Sequence, residues 1–233
     1  MKVRIADLTI EIKDENDRLL SFFKDYLTDI DSDFVLEMGV NDIKQEKDMF
    51  FEESLDDFDY YLLAIYRKIA EILPFYDGFV FHGSAVYYDA TGSVLSGVSG
   101  AGKSTHANLL QKYKNIHIIN DDKPIIRIID NIPYIYGTPW DGKHRISENI
   151  SKPLKNIIFI EKDKTNNIIK LNNDDSYIKT LKQTYRPIYN SDNLVKTLEL
   201  VNRVIKTTNQ YELHCDISKQ ATDISFEIIK WQQ

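Results

Sequence analysis

The chain has 233 residues, a formal net charge of −7 and 42% hydrophobic residues. That length fits one large domain, or one domain with a small appendage, and that composition suits a soluble globular core. The acidic balance argues against a broad nucleic-acid-binding surface, which needs a basic field, and no apolar run is long enough to span a bilayer.

Charged or polar groups break every apolar run at the N-terminus, so it does not read as a signal peptide. Alternation over residues 1–13 predicts two short strands, residues 17–26 an amphipathic helix, and residues 34–38 another strand. Acidic residues concentrate over 29–59 and read as a solvated face, with a docking surface for a basic partner as the other reading. Leu62, Leu63, Tyr66, Ile69, Ala70 and Leu73 predict a helix over 60–73 that stops before Pro74. Beyond residue 78 the texture turns strand-like, over 79–87 and then 92–96. A helix over 103–112 is followed by strands at 117–120, 125–129, 134–136, 157–160 and 168–171. Helices over 176–183 and 194–205, a strand at 211–215 and a helix over 218–229 complete the pattern. Several strands follow one another without helices between them, which implies antiparallel pairing within a mixed α/β sheet. Cys215 is the single cysteine, so no internal disulfide forms, and the expected compartment is the reducing cytoplasm.

Gly97-Val98-Ser99-Gly100-Ala101-Gly102-Lys103-Ser104 fits the phosphate-loop template G-x-x-x-x-G-K-[ST] at every fixed position. Glycines let backbone N–H groups turn inward around phosphate oxygens. Gly97, Ser99, Gly100, Ala101, Gly102 and Thr105 are accordingly the expected surroundings of the phosphates. Lys103 would meet the β- and γ-phosphates of ATP, and Ser104 would offer its hydroxyl to Mg²⁺. The strand before the loop and the helix after it supply the right context, because a helix N-terminus favours an anion.

Phosphoryl transfer also needs a second metal contact and a group that handles the nucleophile. Asn120-Asp121-Asp122, at the end of an apolar strand, offers two carboxylates for those tasks. An Asp-Asp turn that merely opens the next strand is the alternative. In the segment 137–145, Lys143 or Arg145 is placed to neutralise charge on a transferred phosphoryl group. A surface loop anchored by Trp140, with its charges solvated, explains that segment equally well. His106, His117 and the neighbouring His214 and Cys215 read as structural.

Phe81-His82-Gly83-Ser84-Ala85-Val86, the glycine-rich loop and Asn120-Asp121-Asp122 occur in an order and spacing that resembles the HPr kinase/phosphorylase family. That family belongs to a wider superfamily with the ATP-dependent phosphoenolpyruvate carboxykinases. The resemblance covers roughly residues 76–171 and implies a P-loop catalytic domain over 76–233, preceded by a small α+β segment over 1–75. It implies an active-site His82, a phosphate-binding Lys103, a metal-binding Ser104, a general base at Asp122 and a metal-shell Asp121. Thr105 and His106 stand where the family usually has glutamate after the loop serine. The family's downstream Arg-Gly-Leu-Gly segment and its phosphorolysis arginine region have no counterpart. Kinase chemistry therefore carries over better than its reversal, and HPr itself is a doubtful substrate.

The expectation is an ATP- and Mg²⁺-dependent kinase acting on a serine-type hydroxyl, with a peptide or small protein ahead of free serine as acceptor. No nucleic-acid or membrane partner is expected, and the oligomeric state stays open. The alternatives are a non-catalytic ATP-binding regulatory module and a phosphoenolpyruvate carboxykinase-like enzyme.

Overall fold

A two-residue turn starts the fold. Ala6 and Asp7 both take positive φ, 52° and 58°, as a tight hairpin requires, and so pair β1 (Lys2–Ile5) with β2 (Leu8–Ile12). Asn16 then caps α1 (Asp17–Phe22), its side chain accepting from the Leu19 N–H. A separate single 3₁₀ turn, Lys24–Tyr26, completes the span expected as one helix. The third strand, β3 (Phe34–Leu36), adds in parallel to β2. This computed structural model describes residues 1–49, 52–143, 145–186 and 191–230.

The acidic stretch holds an unforeseen helix, α2 (Val40–Met49). Its polar sequence hid it, because the side it buries is charged. Asp42 and Glu46 turn inward to meet Arg67 of α3 (Asp57–Ile72), and only part of this stretch is the solvated face expected of it. The helix α3 starts earlier than its apolar spacing suggests because Asp56 and Asp59 form a reciprocal capping box. Arg67 is 7% exposed and also meets Glu71 at 3.2 Å.

The remaining strands form one curled, mixed sheet. Gly78–Val80 is β4, Gly83–Tyr88 is β5 and Thr91–Ser96 is β6, followed by α4 (Lys103–Lys114). Then come β7 (His117–Asn120), β8 (Ile125–Ile129), β9 (Ile132–Tyr136), the long β10 (Ser151–Lys162) and β11 (Asn167–Lys170). The helices α5 (Asn173–Gln183) and α6 (Ser191–Thr207), strand β12 (Asn209–Cys215) and helix α7 (Lys219–Ile229) follow. The order is β4-β8-β9-β10-β6-β5-β7, with β12 on the second half of β10 and β11 on β12. The pairings β6–β10 and β10–β12 are parallel, whereas β5 runs antiparallel to both β6 and β7.

The stretch 79–87, expected as one strand, breaks at Phe81 and His82. On one side of the break β4 pairs with β8, and on the other β5 pairs with β6 and β7. A chain that changes partners must bend between them, and His82 sits at that bend.

The N-terminal sheet is separate from the large one, yet the two share a core. Val3, Ile10, Leu19, Phe23 and Ile65 cluster with Val80, Ile125, Tyr136 and Trp140. Trp140 is 8% exposed, with ring centroids 6.1 Å from Phe22, 5.9 Å from Phe23 and 5.3 Å from Tyr66. No helix among the described residues is long and apolar enough to cross a membrane.

Removing one member of a buried ion cluster strands the others, at a cost of about 3–5 kcal/mol. Arg67→Ala should therefore destabilise the protein by roughly that amount, since it leaves the buried Glu46 without its cation. Urea unfolding monitored by circular dichroism measures it, and an unchanged midpoint would show that the cluster contributes nothing net.

Candidate active site

Strand direction gathers the candidate residues at one edge. In the β5–β6 register Gly83 faces Ser96, and in the β5–β7 register Ala85 faces Asn120. The end of β6, the start of β5 and the end of β7 therefore lie side by side. The parallel pairs bring the ends of β10 and β12 to the same edge. Ligands of open α/β sheets bind in the crevice beyond such carboxyl ends.

The glycine-rich loop leaves β6 here and enters α4. Gly97 has φ of 143°, and a Cβ there would lie 2.9 Å from the Ile160 carbonyl oxygen, so the loop can cross the end of β10 only without a side chain. Gly100 and Gly102 take φ of 77° and 101°, a region that L side chains rarely adopt. Val98, Ser99 and Gly100 are exposed, Ala101 and Lys103 are buried, Ser104 is half-buried and Thr105 is exposed.

Lys103 is 8% exposed, and its Nζ donates to the carbonyls of Gly97 and Val98 at 3.2 Å each. Burial pulls its pKa below the ordinary lysine value, while Asp122 and Asp121 push it back up. A desolvated ammonium that holds only two long carbonyl contacts is poised for a stronger anionic partner. A cleft of about 530 Å³ opens beside it, running from the loop and the first turn of α4 to Lys162, Asp163 and Ile217 beyond β10 and β12. Cys215 lines this cleft, its thiol raised to about 11 by burial.

Asn120 sets the geometry of the two aspartates. It is fully buried, and its side-chain oxygen accepts from the N–H groups of Asp122 at 3.0 Å and Lys123 at 2.8 Å. Its amide nitrogen donates to the Thr138 carbonyl at 2.9 Å. The strand end is thus locked into a turn that fixes the two carboxylates, Asp121 inward and Asp122 toward the crevice. Asp121 is 6% exposed and accepts from the buried Ser84 hydroxyl at 2.7 Å. Asp122 is more open, with Lys123 Nζ 3.2 Å from one oxygen and His82 Nε2 3.7 Å from the other.

His82 is held from behind by Gln183, whose side-chain oxygen lies 3.1 Å from Nδ1. Its pKa is lowered by burial first and by the Lys103 charge second. A neutral ring donating from Nδ1 to Gln183 presents the Nε2 lone pair to the Asp122 carboxylate. At 3.7 Å the two stand beyond direct hydrogen-bond distance. A recess of about 200 Å³, the size of one side chain, opens beside His82, Lys123 and Tyr66.

Lys103, Asp121, Asp122 and His82 therefore form one electrostatic group. Arg145 lies elsewhere: it is exposed, has φ of 52° and lines a second cleft against the N-terminal segment, where its charge acts on Asp141. Lys143 is exposed, and His144 lies outside the described residues. His106 is buried and structural, hydrogen-bonded at 2.8 Å to Ser225 of α7. Asn120, Ser84 and Gln183 had no recognised role in the sequence. Asn120 was the most legible of them, since a side chain that bonds N–H groups two and three residues on is a common turn device.

For Mg²⁺, the available donors are the Ser104 hydroxyl and the second oxygen of Asp121, both oxygen ligands of the kind this ion takes. No group of three or more His, Cys, Asp or Glu side chains gathers as a cation site among the described residues.

No family model matches the chain, and no curated protein matches it. Among solved structures, the Hpr(Ser) kinase/phosphatase from Coxiella burnetii aligns with 64% of this chain and 93% of its own, at 14% identity and a TM-score of 0.38.

Asn120→Ala should release the aspartate turn. The Thr138 carbonyl and two N–H groups lose a partner, so the protein should lose about 1–3 kcal/mol of stability. Thermal unfolding checks this, and a variant as stable as the parent would show that the turn holds itself.

Proposed function

We propose that the protein is an ATP-dependent kinase of the reducing cytoplasm that transfers the γ-phosphoryl group to a serine-type hydroxyl, on a peptide or small protein in preference to free serine. The observation that carries this reading is the meeting, at one sheet edge, of the glycine-rich loop and its buried Lys103 with the Asp122–His82 pair. The cleft of about 530 Å³ beside the loop has room for the nucleoside.

In this reading the loop N–H groups and the α4 N-terminus hold the phosphates, and Lys103 exchanges its two carbonyl contacts for phosphate oxygens. Ser104 and Asp121 would hold Mg²⁺, which would supply neutralisation of the phosphate charge. Asp122 takes the proton of the acceptor hydroxyl as its oxygen bonds to the γ-phosphorus, and the bond from phosphorus to the β-bridging oxygen breaks, its electron pair leaving with ADP. His82 stands beside that carboxylate at 3.7 Å, and Gln183 keeps its ring oriented. Lys123 is paired to the same carboxylate at 3.2 Å and helps to fix its position. A module that only binds ATP has no use for this base.

Two variants separate the parts. Lys103→Ala should lose most ATP·Mg²⁺ affinity while the fold survives, as calorimetry and circular dichroism would measure. Equal affinity in both proteins would overturn the phosphate-loop reading. Asp122→Asn keeps the shape but cannot take a proton, so turnover should fall by about 10²–10⁴ with nucleotide affinity retained. Transfer of ³²P from γ-labelled ATP at the parent rate would remove Asp122 from the mechanism.

A further inference from the structure

The second cleft, of about 620 Å³, is not used by the chemistry above. One wall comes from α1 and the 3₁₀ turn after it, and the other from Pro139, Asp141 and Arg145. Phe22 and Phe58 give it apolar surface. Charges of both signs stand on its rim. Arg18 is already paired with Asp56 at 2.8 Å, but Lys24, Arg145, Asp17 and Asp25 have no ion pair among the described residues.

Two observations point to a ligand. Tyr26 is 3% exposed and lines the cleft, and its hydroxyl has no hydrogen-bond partner of good geometry among the described residues. Burial raises its pKa, the Ser147 hydroxyl acts on it as a hydrogen-bonding neighbour that lowers it, and Ser147 itself donates to Asp141 at 2.9 Å. A buried hydroxyl without a well-aligned partner is unfavourable, and a bound polar group would relieve it. The cleft also adjoins the reacting carboxylate. Asp141 lines it and feels the charge of Asp122. The next residue, Gly142, lies so close that a Cβ there would be 3.1 Å from the Cβ of Asp122.

We propose that this cleft binds the acceptor: a polypeptide segment lies between the N-terminal segment and the wall of Pro139, Asp141 and Arg145, with an acidic side chain on Arg145, and its serine reaches Asp122 past Gly142. The inference rests on the kinase reading and names its substrate class. An apolar wall, charges of both signs and an unmet hydroxyl suit a polypeptide, which brings backbone polar groups together with side chains of every kind. An extended chain advances about 3.3 Å per residue, so two or three residues beyond the cleft cover the step from Asp141 past Gly142 to Asp122. Arg145 then recognises the acceptor and does not clamp the phosphoryl group.

The test is a library of serine-centred peptides with acidic, basic or neutral residues at each flanking position, offered with γ-labelled ATP. The parent protein should prefer an acidic residue at one position two to four residues from the serine. Arg145→Glu should reverse that preference to basic, with a change of about tenfold or more in the labelling ratio, and leave ATP affinity unchanged. Tyr26→Phe should weaken labelling of the best peptide through KM. Peptides labelled with the same flanking preference in parent and Arg145→Glu would overturn the cleft assignment and leave the kinase standing. Tight ATP binding with no label on any peptide would overturn both, whereas label on free serine alone would overturn only the polypeptide acceptor.

Discussion

The site depends on one strand fitting between two others. The β5 strand starts against the last residue of β6 and runs back beside β7, and it can do so only because Gly83 has no side chain. A Cβ there would lie 2.7 Å from the Leu95 carbonyl oxygen and 2.8 Å from a Val94 methyl. The Gly83 N–H bonds the Asp122 carbonyl at 3.0 Å, and the His82 carbonyl accepts from the Ser96 hydroxyl at 2.8 Å. Main-chain and hydroxyl bonds thus tie the histidine bend to the aspartate turn and to the root of the glycine-rich loop. Side-chain chemistry is arranged here by backbone fit.

Much of this was legible in the sequence, because its signals are local. Hydrophobic spacing marked α3 and α6, and the apolar run before Gly97 marked β6. The loop template depends on φ values that few residues other than glycine adopt, so its glycines mark it plainly. What stayed hidden was pairwise. The helix α2 buries Asp42 and Glu46 against an arginine on the next helix, and no hydropathy pattern records that. The break at Phe81 and His82 arises because β4 and β5 have different partners, a fact that lives elsewhere in the chain. The basic residues beside Trp140 allowed both a phosphoryl clamp and a surface loop anchored by Trp140; Trp140 does pack against the N-terminal segment, and Arg145 lines the second cleft.

Trp140 also bears on how the two parts of the chain relate. Its indole lies among Phe22, Phe23 and Tyr66, and Arg127 of β8 donates to the Ala6 carbonyl. Residues 1–75 are therefore joined to the large sheet by buried contacts and not only by the chain. The loop that lies against Asp122 has its apolar anchor in the core of the small segment, so that segment helps set one wall of the site.

The β10 strand has a consequence for motion. Over residues 156–159 it is bonded on both flanks, to β6 and to β12, and it has no free edge there. Amides so placed open only when the whole domain opens, whereas exposed loops fluctuate cheaply. The carbonyl of Ile160, against which Gly97 packs, lies at the end of that stretch. The glycine-rich loop can therefore breathe at its tip, at Val98 to Gly100, while its root rides on the part of the molecule slowest to exchange with deuterium.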